Sequence, residues 1–391
     1  MESVIKRADE LSAIRRELHR RPELALREYE TACVIERELD KAGVAHRRIG
    51  ETGVLGVVRG RGDGAVVALR ADIDALPIQE ETGAAYRSET NGVMHACGHD
   101  AHTACLIGAA KILSERKEDF CGEARLMFQP AEETGGGAAD FIESGALDGV
   151  QRVFGLHVAP DLPIGAVGIT PGLNNAAVDH FRIAIHGKSA HVAAPERGAD
   201  ALYAASQIVV AIQGIVARRT SPTEPVILGV GKLNAGTTYN AVAEYAELEG
   251  TTRTISQRSR LEMRERIDET ARHIAAVSGA EAEIVWTGVC SALVNAPEAC
   301  AEAQEVARKL GFSVTDDRPL SLSGDNFSEY LLRVSGCYAY LGTSNDAFPD
   351  TLAGIHNSHF NLDEAALPMG AALYAACALR WLGNAEERKS L

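Results

Sequence analysis

Apolar positions between residues 3 and 20 recur at helical spacing and stop before Pro22, which predicts an opening helix. A second helix fits "EYETACVIERELDKAG", with Gly43 placed to close it. Short β-branched runs follow: "GVLGVVRG", "AVVALRAD", "ARLMFQP" and "RVFGLHV". The stretch "HTACLIGAAKILSERK" between the second and third is helical in period. Buried runs that alternate with helices predict an α/β layer around a largely parallel sheet.

The pattern changes near Val178. Strand 179–187, helix 197–219, strands 226–234 and 242–254, helix 257–278 and strand 281–287 follow in order. That is β-α-β-β-α-β, a ferredoxin-like arrangement. Helices are expected again at 297–310 and 363–383. The fold class is therefore α/β, with one domain formed by 1–177 and 290–391 and interrupted by an inserted domain at 178–289.

Composition narrows the partners. A chain of 391 residues with 46% hydrophobic content can fill two cores. A net charge of −15 argues against nucleic acid or an anionic membrane as the main partner. A small anionic substrate stays compatible, because a few placed arginines act locally. No apolar run is expected to reach the ~18 residues of a membrane span. The charged start lacks the apolar stretch of a secretion signal. Eight scattered cysteines without C-x-x-C spacing read as free thiols in a reducing compartment, which points to the cytoplasm.

The chemistry concentrates in "MHACGHDAHT", where His95, His99 and His102 fall within eight positions alongside Cys97 and Asp100. Other candidates follow strands, where open α/β sheets place their sites. "ALRADIDALP" supplies Asp72 and Asp74, "FQPAEETGGG" supplies Glu132 and Glu133, "GLHVAP" supplies His157, and "GIHNSHF" supplies His356 and His359. Cys, His and Glu together suit a borderline metal such as zinc, or manganese with weaker preference. A structural zinc site would show closed, Cys-rich spacing, which is absent here. In an extended segment the two glutamates would point opposite ways, one to a metal and one to a water as general base.

Taken together, "LHRRPELALREYET", "LRADIDALP", "MHACGHDAHTA", "FQPAEE", "GKSAHVAAPERGADAL", "NAVAEYAELEGTTRT" and "GIHNSHFNLDEAAL" resemble the dinuclear metallo-amidohydrolase family of aminoacylases and glutamate carboxypeptidases. They look like its N-acyl-amino-acid amidohydrolase branch, which includes hippurate hydrolase and indole-acetyl-amino-acid hydrolase. The resemblance spans nearly the whole chain. It implies two divalent metal ions per subunit, Mn²⁺ or Zn²⁺, with Co²⁺ or Ni²⁺ also compatible. Their ligands would be Cys97, His99, Glu133, His157 and His356, with Cys97 bridging. Glu132 would be the general base and Asp74 the carboxylate that orients the site. His191 would reach the scissile carbonyl from the inserted lid, and Asn240 and Arg253 would hold the substrate carboxylate.

The implied reaction is hydrolysis of an N-acyl-L-amino acid by a hydroxide between the metals, giving a carboxylic acid and a free amino acid. The implied assembly is a homodimer or higher oligomer through the lid. Three departures stand out. "NVIP" reads "NAVA" after Asn240, "SEDF" becomes "SGDNF" at 323–327, and His-x-Asp reads Asp72-Ile73-Asp74, so that His99 must supply the missing imidazole. The rival readings are a deacetylase of one intermediate, such as N-acetyldiaminopimelate or N-acetylcysteine, a two-metal phosphoesterase, and a catalytically silent metal-binding protein.

Overall fold

The computed structural model describes residues 7–383. Helix α1 (Ala8–Arg20) buries Leu11, Ile14 and Leu18, the spacing of one helical face. Positions 3–6 of the expected helix lie outside the described residues. Helix α2 (Tyr29–Lys41) ends as its sequence predicts, with Gly43 at φ +64° donating to Asp40 O.

Strands β1 (Ala45–Ile49), β2 (Gly53–Arg59) and β3 (Val66–Asp72) precede helix α3 (His99–Glu115). Strand β4 (Glu123–Gln129), helix α4 (Ala138–Glu143), long strand β5 (Val150–Pro163) and the short strands β6 (Ala166–Gly168) and β7 (Gly172–Asn175) follow. Then come β8 (Ala177–His186), α5 (Ala201–Arg219), β9 (Val226–Ala235), β10 (Tyr245–Thr254), α6 (Gln257–Val277) and β11 (Glu281–Cys290). The chain closes through β12 (Leu293–Asn295), α7 (Pro297–Lys309), β13 (Ser313–Thr315), α8 (Ser328–Leu331), β14 (Gly336–Ser344) and α9 (Ala366–Leu382).

The chain divides into two compact units. Among the described residues, the first holds 7–174, 294–319 and 326–383. Its eight-stranded sheet runs β1-β2-β4-β3-β5-β14-β6-β13. The central strands β4, β3, β5 and β14 are mutually parallel, and antiparallel pairings occur only toward the flanks. The largely parallel sheet expected from the sequence is thus present. Its core draws on both sheet and helices, with Leu69, Phe128, Phe154 and Leu341 packed with Leu106, Leu113, Leu373 and Trp381.

The second unit holds Asn175–Leu293 and Leu320–Asp325. Its four antiparallel strands run β11-β8-β10-β9, with α5 and α6 contributing to one core. Short segments 175–177, 290–293 and 320–325 group with this unit, beyond the insert boundaries read from sequence.

One strand that the sequence reading omits and one helix that it misjudges stand out. Strand β14 lies at the middle of the sheet and was not read from "GCYAYLGTS". Its glycines are there for contact: a Cβ at Gly336 would lie 2.1 Å from Val153 O, and one at Gly342 would lie 2.1 Å from Pro163 O. Helix α5 is, among the described residues, long and apolar enough by length and composition to cross a membrane, contrary to the sequence reading. Its inward face, Ala204, Ala205, Ile208, Ile212 and Ile215, is buried in the second unit's core. Its outer face leaves Leu202, Tyr203 and Val210 exposed, the last at 71%.

Candidate metal centre

The centre is built where the parallel strands end. Asp72 is the last residue of β3, and Asp74 follows two positions on. Cys97 sits just before α3, and His99 and Asp100 form that helix's first turn. The helix starts three residues earlier than its apolar period suggests, so His99 and His102 are helical. Gly98 makes the entry, with φ +82° and no room for a side chain, since a Cβ would lie 2.5 Å from Val158 Cγ2. Glu132 and Glu133 lie in a 3-10 turn after β4, not in an extended segment. Their side chains therefore do not alternate as they would in a strand. His157 lies within β5, and His356 sits in a loop with φ +60°, its N–H held by Ala96 O at 2.7 Å.

The donor atoms converge. Cys97, His99 and His157 place one ligand atom each within 4.8 Å of one another, and so do Cys97, Glu133 and His356. The two groups share the thiol of Cys97. His99 also forms such a group with Glu132 and Glu133. His157 Nδ1 donates to Val158 O at 2.8 Å, which leaves its Nε2 lone pair facing Cys97 Sγ at 3.3 Å. His99 Nδ1 meets Asp74 Oδ1 at 3.2 Å, and its Nε2 is buried with no hydrogen-bond partner among the described residues. That nitrogen lies 3.8 Å from Glu133 Oε1, which in turn lies 3.3 Å from His356 Nε2.

An imidazole fixed by a carboxylate on one nitrogen and open on the other is the form of a metal ligand. Leaving that nitrogen unpaired costs ~1–3 kcal/mol, which a bound cation would offset. The donor set of thiol, imidazoles and carboxylate fits divalent transition ions.

A fourth group, Asp72, His99 and His102, is close enough to hold an ion, but the atoms of Asp72 and His102 are already used. His102 Nε2 accepts from Val158 N–H at 2.9 Å, so Nδ1 carries the proton and donates to Asp72 Oδ1 at 2.5 Å. The other oxygen of Asp72 accepts from Arg70 at 2.6 Å. Asp100 is likewise committed, to Arg15 at 2.9 Å and His19 at 2.8 Å. His95 is buried, and burial pushes its pKa down to about 3. Within the histidine-rich motif, His99 joins the converging donor groups, His102 is committed to Asp72 and Val158, and His95 joins none of the groups.

Burial pushes the Cys97 thiol well above its ordinary range, and the Glu133 charge adds to this. Burial opposes protonation of His99, but the charge of Asp72, helped by the hydrogen bond to Asp74, outweighs it and holds His99 well above the ordinary imidazole range. Burial pushes His157 down to about 3. Metal binding requires a thiolate and neutral imidazoles, so loading the centre releases protons.

Asp74 and Asn326 hold the two glutamates in different ways. Asp74 Oδ2 accepts from Glu133 N–H at 3.0 Å, so one aspartate orients both His99 and Glu133. Glu132 Oε1 accepts from Asn326 N–H at 3.1 Å. Asn326 is itself fixed by Arg70 and Gln129 on its Oδ1, each at 2.9 Å, and donates to Gly136 O at 2.8 Å. Sequence reasoning assigned no role to Arg70, Gln129 or Asn326, although "SGDNF" marked the last as unusual.

His191, Asn240 and Arg253 lie in the second unit. His191 bridges Ala241, and Val192 N–H donates to Asn240 O, so His191 and Asn240 are neighbours. Arg253 pairs with Val178 at the opposite end of β10 from Tyr245, which pairs with His186. Eight residues of strand separate those ends by ~27 Å. Asn240 and Arg253 of one chain therefore lie toward opposite ends of this sheet. His359 is exposed and turned to the backbone of Glu81, with Nδ1 3.0 Å from its O.

A sheet, an inserted four-stranded unit and a thiol shared between two donor groups define a dinuclear metallohydrolase architecture. The model of peptidase family M20/M25/M40 matches residues 68–380, and the chain belongs to this family. It is 40% identical over 381 residues to an N-acetyl-L-cysteine deacetylase of Bacillus subtilis, covering 97% of this chain and 90% of the relative. It is 36% identical over 381 residues to an IAA-amino acid hydrolase of Arabidopsis thaliana, covering 96% and 86%. Among solved structures it resembles a Bacillus subtilis dinuclear metal-binding peptidase of the M20 family, with a TM-score of 0.82, 35% identity and coverage of 98% and 99%.

Proposed function

We propose that this chain hydrolyses the amide bond of N-acyl-L-amino acids, using two divalent ions held by Cys97, His99, Glu133, His157 and His356. The observation that carries the reading is the Cys97 thiol common to two donor groups, with the Glu132 carboxylate beside them but tied to Asn326. The ions supply Lewis acidity, which acidifies an attacking water and polarises the amide carbonyl. Glu132 accepts the proton from the water and delivers it to the departing amine, so the amine leaves neutral. Asp74 and Asn326 keep Glu133 and Glu132 apart in these two tasks.

Arg253 binds the substrate α-carboxylate as a bidentate fork. His191 stabilises the developing oxyanion, a contribution of ~3 kcal/mol for one such donor. Because Asn240 sits with His191 and far along the strand from Arg253, these two groups serve one substrate best when they come from two chains. The exposed outer face of α5 and the edge strand β9 favour a dimer through the second unit, which would cover both. The protein acts in the cytoplasm.

A narrower reading, deacetylation of N-acetylcysteine or another N-acetyl amino acid, is favoured by the deacetylase relative. One experiment separates the two. The chelated protein is reloaded with Mn²⁺ or Zn²⁺ and amino-acid release is measured from N-acetyl, N-benzoyl and N-indoleacetyl amino acids. Metal-dependent release from several acyl classes supports the broad reading, and release from acetyl substrates alone supports the narrow one. No release from any substrate by protein carrying two ions would sink both.

A further inference from the structure

The opening motif "RRPELALREYET" contributes no donor to the centre, yet two of its carboxylates have distinct tasks. Glu23 caps helix α2 from outside, accepting the N–H groups of Glu30 at 3.1 Å and Thr31 at 2.9 Å. Glu28 occupies the N-cap position of that helix, but its side chain makes no capping bond. With the cap already supplied by Glu23, Glu28 turns inward. Its Oε1 accepts the N–H of Ala131 at 2.9 Å, and the residue is fully buried. Its Oε2 has no hydrogen-bond partner among the described residues.

Ala131 is the residue before the catalytic pair. It has φ +58°, in the left-handed region that a residue with a Cβ rarely adopts, and it is fully buried. Its carbonyl accepts Gly136 N–H at 2.7 Å, closing the turn that carries Glu132 and Glu133. The backbone direction at Ala131 therefore sets where both carboxylates start. A strained residue persists when its surroundings over-determine it. The Glu28 carboxyl is the group that fixes this N–H.

We infer that Glu28 is a positioning residue: it holds Ala131 in its left-handed conformation and thereby aims Glu132 at the reacting water. The inference rests on the reading of Glu132 as the general base. It assigns Glu28 no contact with substrate or metal. Accepting the Ala131 N–H needs a carbonyl oxygen and no charge, so a neutral isostere can replace the carboxyl: Glu28→Gln keeps the function and Glu28→Leu loses it.

The test compares Glu28→Gln, Glu28→Leu and the double variant Glu28→Leu/Ala131→Gly, each loaded with metal, for kcat, KM and metal content. Glu28→Gln is expected within threefold of wild type in kcat. Glu28→Leu is expected to lose tenfold or more in kcat, with KM and two ions per chain retained. Glycine adopts the left-handed backbone without support, so the double variant is expected to regain at least threefold over Glu28→Leu. A merely structural role predicts no such rescue. The inference is overturned if Glu28→Leu stays within threefold of wild type, if Glu28→Gln falls as far as Glu28→Leu, or if glycine at 131 restores nothing.

Amide hydrogen exchange at Ala131 in wild type gives a check that depends on neither variant folding nor substrate. Slow exchange supports the anchor and fast exchange overturns it. If wild type hydrolyses no substrate, the functional reading fails on that result alone, while exchange at Ala131 still decides the anchor.

Discussion

At the scale of the residue, the two adjacent glutamates have different partners, and those partners predict how each responds to loss of charge. Glu133 is tied through its N–H to Asp74 and lies close to His99 and His356, so Glu133→Gln should lower metal content. Glu132 is tied to Asn326 N–H, and Glu132→Gln should keep two ions while losing ~10²–10⁴ in turnover, the range for general acid–base catalysis. Metal analysis beside steady-state kinetics checks both, and the opposite pattern would exchange the roles. Arg253 gives a second residue-level expectation. It is half-buried on β10, where burial lowers its pKa, and its Nη1 donates to Thr252 O at 3.1 Å. Charge-assisted hydrogen bonds contribute ~1.5–3 kcal/mol. Arg253→Ala should therefore cost N-acyl amino acids about tenfold or more in kcat/KM and the matching amino-acid amides little. Equal losses on acids and amides would argue against carboxylate recognition.

At the scale of the element, the sequence was most readable where periodicity was unbroken. Helices α1, α2 and α6 and strands β2 to β4 were visible because apolar residues repeat with one period and glycine or proline marks the ends. Strand β14 was hidden because close contacts with Val153 and Pro163 require glycine at both ends, which erases the β-branched signature. The start of α3 was hidden for a related reason. Its first turn spends residues on His99 and Asp100, so polarity there reports chemistry and not exposure. The residues proposed as donors are legible in sequence through their chemical types. Their supports, Glu28, Asn326 and Arg70, were not, since a buried carboxylate or guanidinium looks like a surface charge in sequence.

The packing of α2 on α3 carries a pH prediction. Lys111 of α3 reaches Glu38 of α2 at 2.7 Å, and Lys41 reaches the other oxygen at 2.7 Å. Burial alone would raise the Glu38 carboxyl, but these two cations outweigh it and hold it at about 2. A depressed folded pKa stabilises the protein above the unfolded value of ~4.3, and that gain is lost as pH falls toward 2. Glu38→Gln should cost on the order of 1–2 kcal/mol at pH 7, after allowance for solvent screening, and almost nothing near pH 2. Urea unfolding of both proteins across that interval measures it, and a pH-independent difference would contradict the ion-pair account.

At the scale of the whole molecule, the question is which chain completes which site. The second unit carries His191 and Asn240 beyond one end of its sheet and Arg253 at the other. It also presents an apolar outer face on α5, with Tyr203 57% and Val210 71% exposed. If two such units pair, His191 of one chain can serve the centre of the other. The variants Glu132→Gln and His191→Ala should each be nearly inactive alone. In a mixed dimer with His191 acting in trans, one site collects both defects and the other has neither. Random pairing makes half the dimers mixed, and half of their sites are intact, so co-refolded protein should recover up to about a quarter of wild-type activity. If His191 acts within its own chain, every site keeps one defect and nothing returns. Differently tagged chains allow mixed dimers to be isolated before assay, and inactivity of that fraction would refute the trans assignment.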